Sequence, residues 1–423
     1  MTLVLTPDEL ELSEFVRPGD NIVWGQACAE PQTLTGKLVE QRTGIGHVRV
    51  FAGLPVTTTL RPEHADFLEM SSYCGTGNNR RLTKAGVLDI YPGHYSTLPW
   101  LLSAGYHRTD VVLVQVAPPN ASGKYSLGLA ADYLPAAIRG ARVVIAEVND
   151  QVPQTSGPSL TDEDIDVAVH TSRQPAQHPP AAITPEADRI GRLIAELIDD
   201  GATLQLGIGA VPEAVLNHLT DHRDLGIHSG TIGDGIVDLI ERGIVTGARK
   251  SVDPGISVAG FLMGTRRLFD HVNRNPSFAL QDTRYTHDNR VLAAHHKFVA
   301  VNSAIEVDLT GQVNAEVAGG AYVGAVGGGA DFLRGASRSP MGLPIVALPS
   351  TARGTSRIVP ALSGPVSTSR ADVGLVVTEY GVADLRGCTL DERRRRLTAI
   401  AHPDHRDELA SAGRAHADSA ALR

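Results

Sequence analysis

The chain has 423 residues and a formal net charge of −9, with 42% hydrophobic and 20% charged residues, and a chain this long is expected to form two domains. The acidic balance excludes a nucleic-acid surface, and no apolar stretch or leader-like start indicates a membrane protein, so we expect a cytoplasmic location. Cysteines stand only at positions 28, 74 and 388, which indicates neither a disulfide framework nor a bound metal.

The first part of the chain alternates between predicted strands and helices. A Pro-Gly-Asp turn leads into an apolar strand over residues 21–24, a Gly-Gln-Ala-Cys loop and a helix opened by Pro31. Continuous apolar runs over residues 110–116 and 141–148 predict further strands. Runs of this kind are typical of parallel strands that are covered on both faces.

The composition changes after residue 150. Residues 151–185 contain six prolines among serine, threonine, glutamine and aspartate, which predicts an irregular linker. We therefore predict a first lobe over residues 1–182, with 151–182 rich in linker, and a second lobe over residues 183–423.

The second lobe repeats the order of the first. A helix over residues 190–198 and an Asp-Gly turn precede a strand over residues 203–206, a glycine loop and another helix with a proline in its first turn. Apolar runs at 298–301, 343–348 and 373–377 predict more strands. The fold class predicted is α/β, with two similar open lobes that each hold a mostly parallel sheet flanked by helices.

Several stretches of the second half are rich in polar side chains or in glycine, whose backbone has no side chain to cover it. Residues 322–332 read Tyr-Val-Gly-Ala-Val-Gly-Gly-Gly-Ala-Asp-Phe, and such backbone lets amide groups converge on one oxygen. Residues 302–312 read Asn-Ser-Ala-Ile-Glu-Val-Asp-Leu-Thr-Gly-Gln, and residues 348–353 read Leu-Pro-Ser-Thr-Ala-Arg. With residues 226–235, Gly-Ile-His-Ser-Gly-Thr-Ile-Gly-Asp-Gly, they resemble the acetyl-CoA hydrolase/transferase family, and in particular its 4-hydroxybutyrate CoA-transferase-like members.

This resemblance implies an enzyme of coenzyme A thioesters that forms a homodimer and takes an acyl-CoA and a small acceptor or water, with no metal. It implies that the amides of Gly327 and Gly328 face the thioester carbonyl as oxyanion donors. Glycine amides, hydroxyls and cations suit the phosphates of coenzyme A. The residues implied as its contacts are Gly207, Gly209, Gly329, Ser350, Thr351, Arg353, Arg357 and Arg370.

The sequence departs from the family pattern at two places. The family's catalytic glutamate lies in a His-Thr-Glu stretch, and Gly230 occupies the matching position here. The family's Thr-Asn-Asp-Pro segment, whose asparagine helps to position the thioester, reads Thr-His-Asp-Asn with His287 at the asparagine position. A histidine with a pKa near neutrality can act as a general base, so His287, His228 and Ser229 are candidate catalytic residues beside Gly230.

Three functions follow as alternatives. The first is acyl transfer from acyl-CoA to water or a small acceptor without a glutamyl-CoA intermediate, because glycine cannot form one. The second is a CoA-transferase that uses another carboxylate, for which Glu306 is the candidate, although a structural role also explains Glu306. The third is a protein that binds a coenzyme A ligand without turnover.

Overall fold

The computed structural model describes residues 2–412, so the last residues of the predicted second lobe, 413–423, lie outside the described part. Over residues 2–179 strands alternate with helices. The strands are β1 (Leu3–Leu5), β2 (Asn21–Trp24), β3 (Val48–Phe51), β4 (Leu68–Ser72), β5 (Leu88–Ile90), β6 (Val111–Val116), β7 (Tyr125–Ser126), β8 (Val143–Asn149), β9 (Ser159–Leu160) and β10 (Val167–Thr171). The α-helices are α1 (Gln32–Ile45), α2 (Asn79–Lys84), α3 (Leu98–Ser103) and α4 (Leu134–Gly140).

Eight of these strands form one sheet in the order β1-β10-β8-β6-β2-β3-β4-β5. Every neighbouring pair in it is parallel. The strand order reverses between β2 and β6, and ligands of open parallel sheets bind outside the carboxyl ends of the strands at such a point. Gln26 follows β2 closely and therefore lies at this edge.

The predicted strands are confirmed where the apolar runs are long. β6 is buried at every position, as a strand covered on both faces should be. The irregular character predicted for residues 151–182 is wrong over β10, which pairs with β8 and β1. Its Val-Ala-Val core is short, and the surrounding prolines dominate the composition.

Over residues 180–412 the pattern continues. The strands are β11 (Thr203–Leu206), β12 (Gly226–Ile232), β13 (Ser257–Leu262), β14 (Phe278–Leu280), β15 (Phe298–Ser303), β16 (Glu306–Asp308), β17 (Val313–Asn314), β18 (Val317–Ala318), β19 (Ala321–Tyr322), β20 (Leu343–Ala347), β21 (Thr351–Ala352), β22 (Thr355–Ser356), β23 (Ile358–Val359), β24 (Leu375–Thr378) and β25 (Gly381–Asp384). The α-helices are α5 (Pro185–Ala195), α6 (Ala210–His218), α7 (Gly235–Glu241), α8 (Arg266–Val272), α9 (Thr283–Thr286), α10 (Asn289–Ala294), α11 (Gly329–Arg338) and α12 (Leu390–Ile400).

The chain forms two compact units. Within the described residues, the first contains 2–179, 230–237 and 256–287, and the second contains 180–229, 238–255 and 288–412. The chain passes from the second unit to the first inside β12, between Ser229 and Gly230. The predicted boundary between two lobes, between residues 182 and 183, stays a prediction.

The sheet of the second unit is again mostly parallel. β11 pairs with β12 and β15, β15 pairs with β20, and β20 pairs with β24, all in parallel. The edge strand β25 pairs with β24 antiparallel. The order reverses between β11 and β15, and the Gly207–Gly209 loop follows β11 at that point. Parallel sheets flanked by helices confirm the predicted α/β class.

Within the described residues, no helix combines the length and the apolar content that crossing a bilayer requires. The same part of the chain holds no group of three or more His, Cys, Asp or Glu side chains arranged to bind a metal ion.

Candidate active site

Position 230 lies on β12 in backbone that is buried. In the first unit it lies against Gly260 on β13, where a Cβ atom would stand 2.8 Å from the carbonyl oxygen of Gly230. The Gly260 carbonyl in turn accepts hydrogen bonds from the amides of Ala131, at 2.9 Å, and Asp132, at 3.2 Å. Three backbone segments therefore lie side by side at position 230, and the middle one has no room for a side chain.

Gln26 stands at the carboxyl edge of the first sheet with all of its hydrogen-bonding capacity in use. Its Nε2 donates to the Tyr95 hydroxyl at 2.5 Å and to Asp132 Oδ2 at 2.7 Å. Its Oε1 accepts from the Tyr73 hydroxyl at 2.8 Å and from the Leu54 amide at 2.9 Å. A buried amide with two donors and two acceptors satisfied is fixed in orientation.

Asp132 is a buried carboxylate, with 1% of its surface exposed. Besides Gln26, the amides of Tyr133 and Leu134 donate to its Oδ1, at 2.6 and 3.3 Å. Burial raises the pKa of this carboxyl to about 6, and its hydrogen bonds only partly oppose that effect. Asp132 can therefore exchange a proton close to neutral pH.

His287 is placed in the same region of the first unit. Its Nδ1 lies 2.8 Å from the Thr286 hydroxyl, and its ring centroid lies 5.1 Å from that of Tyr95. Burial lowers the pKa of the imidazole to about 3. The expectation of a pKa near neutrality was therefore wrong, because the sequence does not show that 4% exposure removes the hydration of the charged form. The ring is neutral at physiological pH.

His228 and Ser229 belong to the second unit, at the start of β12. The Ser229 hydroxyl donates to the Leu206 carbonyl of β11 at 3.0 Å. The His228 ring packs 4.9 Å from the buried ring of His295, centroid to centroid. Both candidate side chains are thus tied into the interior of the second sheet.

The predicted glycine loops also lie in the second unit. Gly209 caps α6 with a φ of 119°, and Gly328 caps α11, which begins at Gly329. A Cβ atom at Gly329 would stand 3.5 Å from Asn302 Oδ1 on β15, and Asn302 donates to Gln205 of β11 at 3.0 Å. Gly329 therefore lies near β11 and β15, where the strand order of this sheet reverses.

Gly327 precedes the cap with a φ of 58°, a left-handed conformation that favours glycine. The loop therefore turns sharply just before the N-terminus of a ten-residue helix, α11. Backbone amides at a helix N-terminus point outward and attract negative charge.

Four of the eight predicted coenzyme A contacts lie on one hairpin or directly beside it, namely Ser350, Thr351, Arg353 and Arg357. Thr351 pairs with Ser356, and Arg353 stands in the two-residue turn between β21 and β22 with a φ of 51°. Burial lowers the pKa of the Arg357 guanidinium from its ordinary value, while Glu379 opposes that shift. Arg370 is exposed, and only its carbonyl has a described partner, the Arg393 side chain at 2.9 Å.

Ser350 has a structural explanation. Its hydroxyl donates to Glu379 Oε1 at 2.6 Å and its amide donates to Oε2 at 2.8 Å. The side chain is fully buried. Ser350 therefore connects the start of the hairpin to the Thr-Glu-Tyr-Gly stretch.

Glu306 lies in a different environment from Asp132. Its Oε1 accepts from Asn314 Nδ2 at 2.9 Å and from the amides of Ser363 and Gly364 at 2.7 and 3.2 Å. The Ser363 hydroxyl donates to both carboxylate oxygens. These bonds hold residues 363–364 against β16, which supports a structural role.

Sequence reasoning missed the polar side chains of the first unit, Gln26, Tyr73, Tyr95 and Asp132. One available signal was the position of Gln26 directly after a predicted strand, where the ends of parallel strands meet. The other three residues stand in loops far apart along the chain. Nothing in their spacing indicates that they share hydrogen bonds.

The first unit also contains a groove of about 740 Å³, which is lined by Pro118, Asp150, Gln154 and Arg274 among others. None of the predicted site residues lines it. We therefore place the candidate site at Gly230, Gly260 and Asp132 rather than at this groove.

Parallel sheets that end in glycine-rich loops and buried polar side chains are typical of α/β enzymes with phosphorylated ligands. The chain belongs to the acetyl-CoA hydrolase/transferase family. Residues 4–185 match the model of its N-terminal domain, and residues 264–413 match that of its C-terminal domain.

Named relatives extend over nearly the whole chain. It is 39% identical to the 4-hydroxybutyrate coenzyme A transferase of Clostridium kluyveri, covering 92% of both chains. It is 38% identical to the succinyl-CoA:acetate/propanoyl-CoA:succinate CoA transferase of Fasciola hepatica, covering 94% of this chain and 85% of that one. Among solved structures, RipA from Yersinia pestis is similar with a TM-score of 0.92 and 34% identity, over 98% of this chain and 97% of that one.

Proposed function

We propose that this protein transfers the acyl group of an acyl-CoA to water or a small acceptor without a glutamyl-CoA intermediate. The observation that carries this proposal is Gly230. The family resemblance places the nucleophilic glutamate at this position, and glycine has no carboxylate to form an anhydride or a thioester. The acceptor must then reach the thioester directly.

The remaining site features support binding of a coenzyme A thioester. In the second unit, we assign the amides of Gly327 and Gly328 to the thioester oxygen, because they lie where α11 begins. We assign Gly207, Gly209, Gly329, Thr351, Arg353, Arg357 and Arg370 to the phosphate and pantetheine parts of coenzyme A. Ser350 donates a hydrogen bond to Glu379 and so stabilises the start of the hairpin that carries Thr351 and Arg353.

The histidines have a limited role in this proposal. A neutral His287 next to Thr286 and Tyr95 can accept or donate one hydrogen bond and so orient a substrate, but its low pKa makes it a weak base. His228 and Ser229 stabilise the part of β12 that precedes position 230 and belongs to the second unit.

Release of free thiol tests the proposal. The purified protein is incubated with acyl-CoA esters of increasing chain length, first in buffer alone and then with carboxylate or amine acceptors. We expect thiol release above the spontaneous rate with water or one of the small acceptors. Binding of acyl-CoA with neither thiol release nor formation of a new acyl-CoA under any condition would instead favour a ligand-binding protein without turnover.

A second candidate function is CoA transfer between an acyl-CoA and a carboxylate. The named relatives that span the chain are CoA transferases, which favours it. This reaction needs a carboxylate other than residue 230. It predicts an enzyme-bound coenzyme A thioester that borohydride or hydroxylamine traps, and an unmodified protein mass would argue against it.

A further inference from the structure

We propose that Asp132 is the general base of this acyl transfer and that Gln26 is the residue that positions it. This inference rests on the proposed function and names a group that acts at the same site. It assigns the proton transfer to a carboxylate whose backbone is hydrogen-bonded to Gly260, the residue that contacts Gly230, although 98 residues separate positions 132 and 230 along the chain.

Backbone contacts connect Asp132 to position 230 through Gly260 of β13. The Gly260 carbonyl accepts the amides of both Ala131 and Asp132, and a Cβ atom at Gly260 would nearly touch the Gly230 carbonyl oxygen. The amide of Leu262 also donates to the Leu129 carbonyl at 2.8 Å. The loop that carries Asp132 is therefore anchored to β13 at both of these points, on the strand that contacts Gly230.

The hydrogen bonds of Asp132 come from neutral groups. Gln26 and the Tyr95 hydroxyl donate to the carboxylate besides the two backbone amides, and no salt bridge is described for Asp132 in residues 2–412. By contrast, Glu147 of the same unit is paired with Arg173 at 2.9 Å, which stabilises its charged form. A carboxylate without a cation keeps its affinity for a proton.

The backbone of Asp132 is strained. Its φ is 30°, in the left-handed region that residues with a side chain seldom adopt. Strain of this kind persists where the surrounding structure enforces it, and it is concentrated at functional sites. Here the hydrogen bonds from the Ala131 and Asp132 amides to the Gly260 carbonyl, together with the fixed Gln26 side chain, hold Asp132 in this conformation.

The tyrosines, the thiol and the imidazole around Asp132 do not compete for its proton near neutral pH, and Asp282, whose backbone pairs with that of Asp132, is bound to Arg284 at 2.5 Å. Burial raises the pKa values of Tyr73, Tyr95 and Tyr133 well above their ordinary value and raises that of Cys74. His287, which contacts Tyr95, is neutral. The pKa of Asp132 is about 6, so its charged form, the form that can accept a proton, dominates above about pH 6.

The chemical step balances with water as the acceptor. An O–H bond of water breaks and its proton moves to the Asp132 carboxylate, while the water oxygen bonds to the thioester carbon. The carbon–sulfur bond then breaks, and the thiolate of coenzyme A takes the proton from Asp132. The products are a carboxylic acid and free coenzyme A, and the carboxylate returns to its charged form.

The test compares three variants with the intact wild-type protein. For the wild type we expect kcat/KM to fall on the acid side with a midpoint near pH 6. Asp132→Asn should lower kcat/KM by about 100-fold or more and remove that acid limb. Gln26→Leu should lower kcat and move the limb to higher pH, because the Gln26 hydrogen bond lowers the pKa of Asp132.

Asp110→Asn is the matched control. Asp110 is also a buried carboxylate of the first unit that accepts a side-chain amide and a backbone amide, both from Asn21, but it is paired with Arg108 at 2.6 Å and lies at the amino end of β6. Its replacement should leave the pH profile unchanged. An Asp132→Asn variant that binds acyl-CoA and keeps both the rate and the acid limb overturns the inference while leaving the proposed function intact.

A single turnover in H₂¹⁸O separates a base from a nucleophile without any variant. We expect the heavy oxygen only in the released acid. Heavy oxygen in the peptide that contains Asp132 would overturn the inference, because it requires an acyl-aspartyl intermediate. No thiol release by the wild type with any acceptor would overturn the proposed function and this inference together.

Discussion

The side-chain amide of Gln26 donates to the carboxylate of Asp132 across 2.7 Å, although 106 residues separate the two in the sequence. Gln26 follows the strand at which the order of the first sheet reverses, and Asp132 is anchored to the strand next to Gly230. One hydrogen bond thus joins the edge of the first sheet where the strand order reverses to the loop that is anchored on the strand beside Gly230.

Restoring the carboxylate should restore CoA transfer. For Gly230→Glu we expect transfer of coenzyme A to acetate to rise about tenfold or more above wild type, because a nucleophile can again form the covalent thioester. Transfer is followed by formation of acetyl-CoA. Gly230→Gln has the same size without the charge and should stay at the wild-type level. Equal gains in both variants would show that the glutamate matters by volume alone.

Replacing Arg357, which directly follows the hairpin, should weaken binding of the phosphate groups of coenzyme A and of no other part of the substrate. For Arg357→Ala we expect the KM for acyl-CoA to rise about tenfold, since a charge-assisted contact is lost. The KM for the acyl-pantetheine, which lacks the nucleotide, should not change. Arg189→Ala removes an exposed arginine of the same unit and is the control. A parallel rise in KM for both substrates would contradict the assignment of Arg357 to phosphate.

His295 should make stability depend on pH. Burial and Lys250 lower its pKa to about 3, and neither ring nitrogen has a hydrogen-bond partner in the described structure. The unfolded chain binds the proton more readily, so this contribution is lost as pH falls below about 6.5. Against the wild type, His295→Leu should gain about 2 kcal/mol in unfolding free energy between pH 8 and pH 5.

Denaturant unfolding at both pH values measures this change. His271→Leu is the control because it removes a partly exposed histidine in the last turn of α8 instead of a buried one. A pH dependence of His295→Leu equal to that of the wild type would show that His295 is not held neutral by burial.

Glu306 should matter for stability and not for turnover. For Glu306→Ala we expect a loss of about 1–3 kcal/mol in unfolding free energy, because buried Asn314 and the 363–364 segment lose their acceptor. Glu306→Gln retains an oxygen at that point and should lose less. Thiol release per folded molecule should be unchanged in both variants. Loss of turnover in the well-folded Gln variant would favour CoA transfer through Glu306.

Much of the fold follows from the sequence. Long apolar runs gave β6 and β20, and the repeated strand, glycine loop and proline-started helix predicted β2 with α1 and β11 with α6. These features are local, so periodicity and turn residues carry them. The short strand β10 was hidden because prolines surround it.

The candidate site was predictable only in part. Gly230 and the glycine loops stand out in the sequence because they interrupt a recognisable pattern. Asp132 and Gln26 do not, since a hydrogen bond between distant loops leaves no periodic signal. The low pKa of His287 also could not be predicted, because it depends on burial and not on residue type.

The mass of the intact protein during reaction with acyl-CoA tests the central claim most directly. The protein is mixed with a substrate that releases thiol, quenched during turnover and weighed with and without hydroxylamine. We expect the unmodified mass at every time point while free coenzyme A accumulates. A species heavier by the mass of coenzyme A less one water, which hydroxylamine removes, would contradict the claim that acyl transfer proceeds without a glutamyl-CoA intermediate.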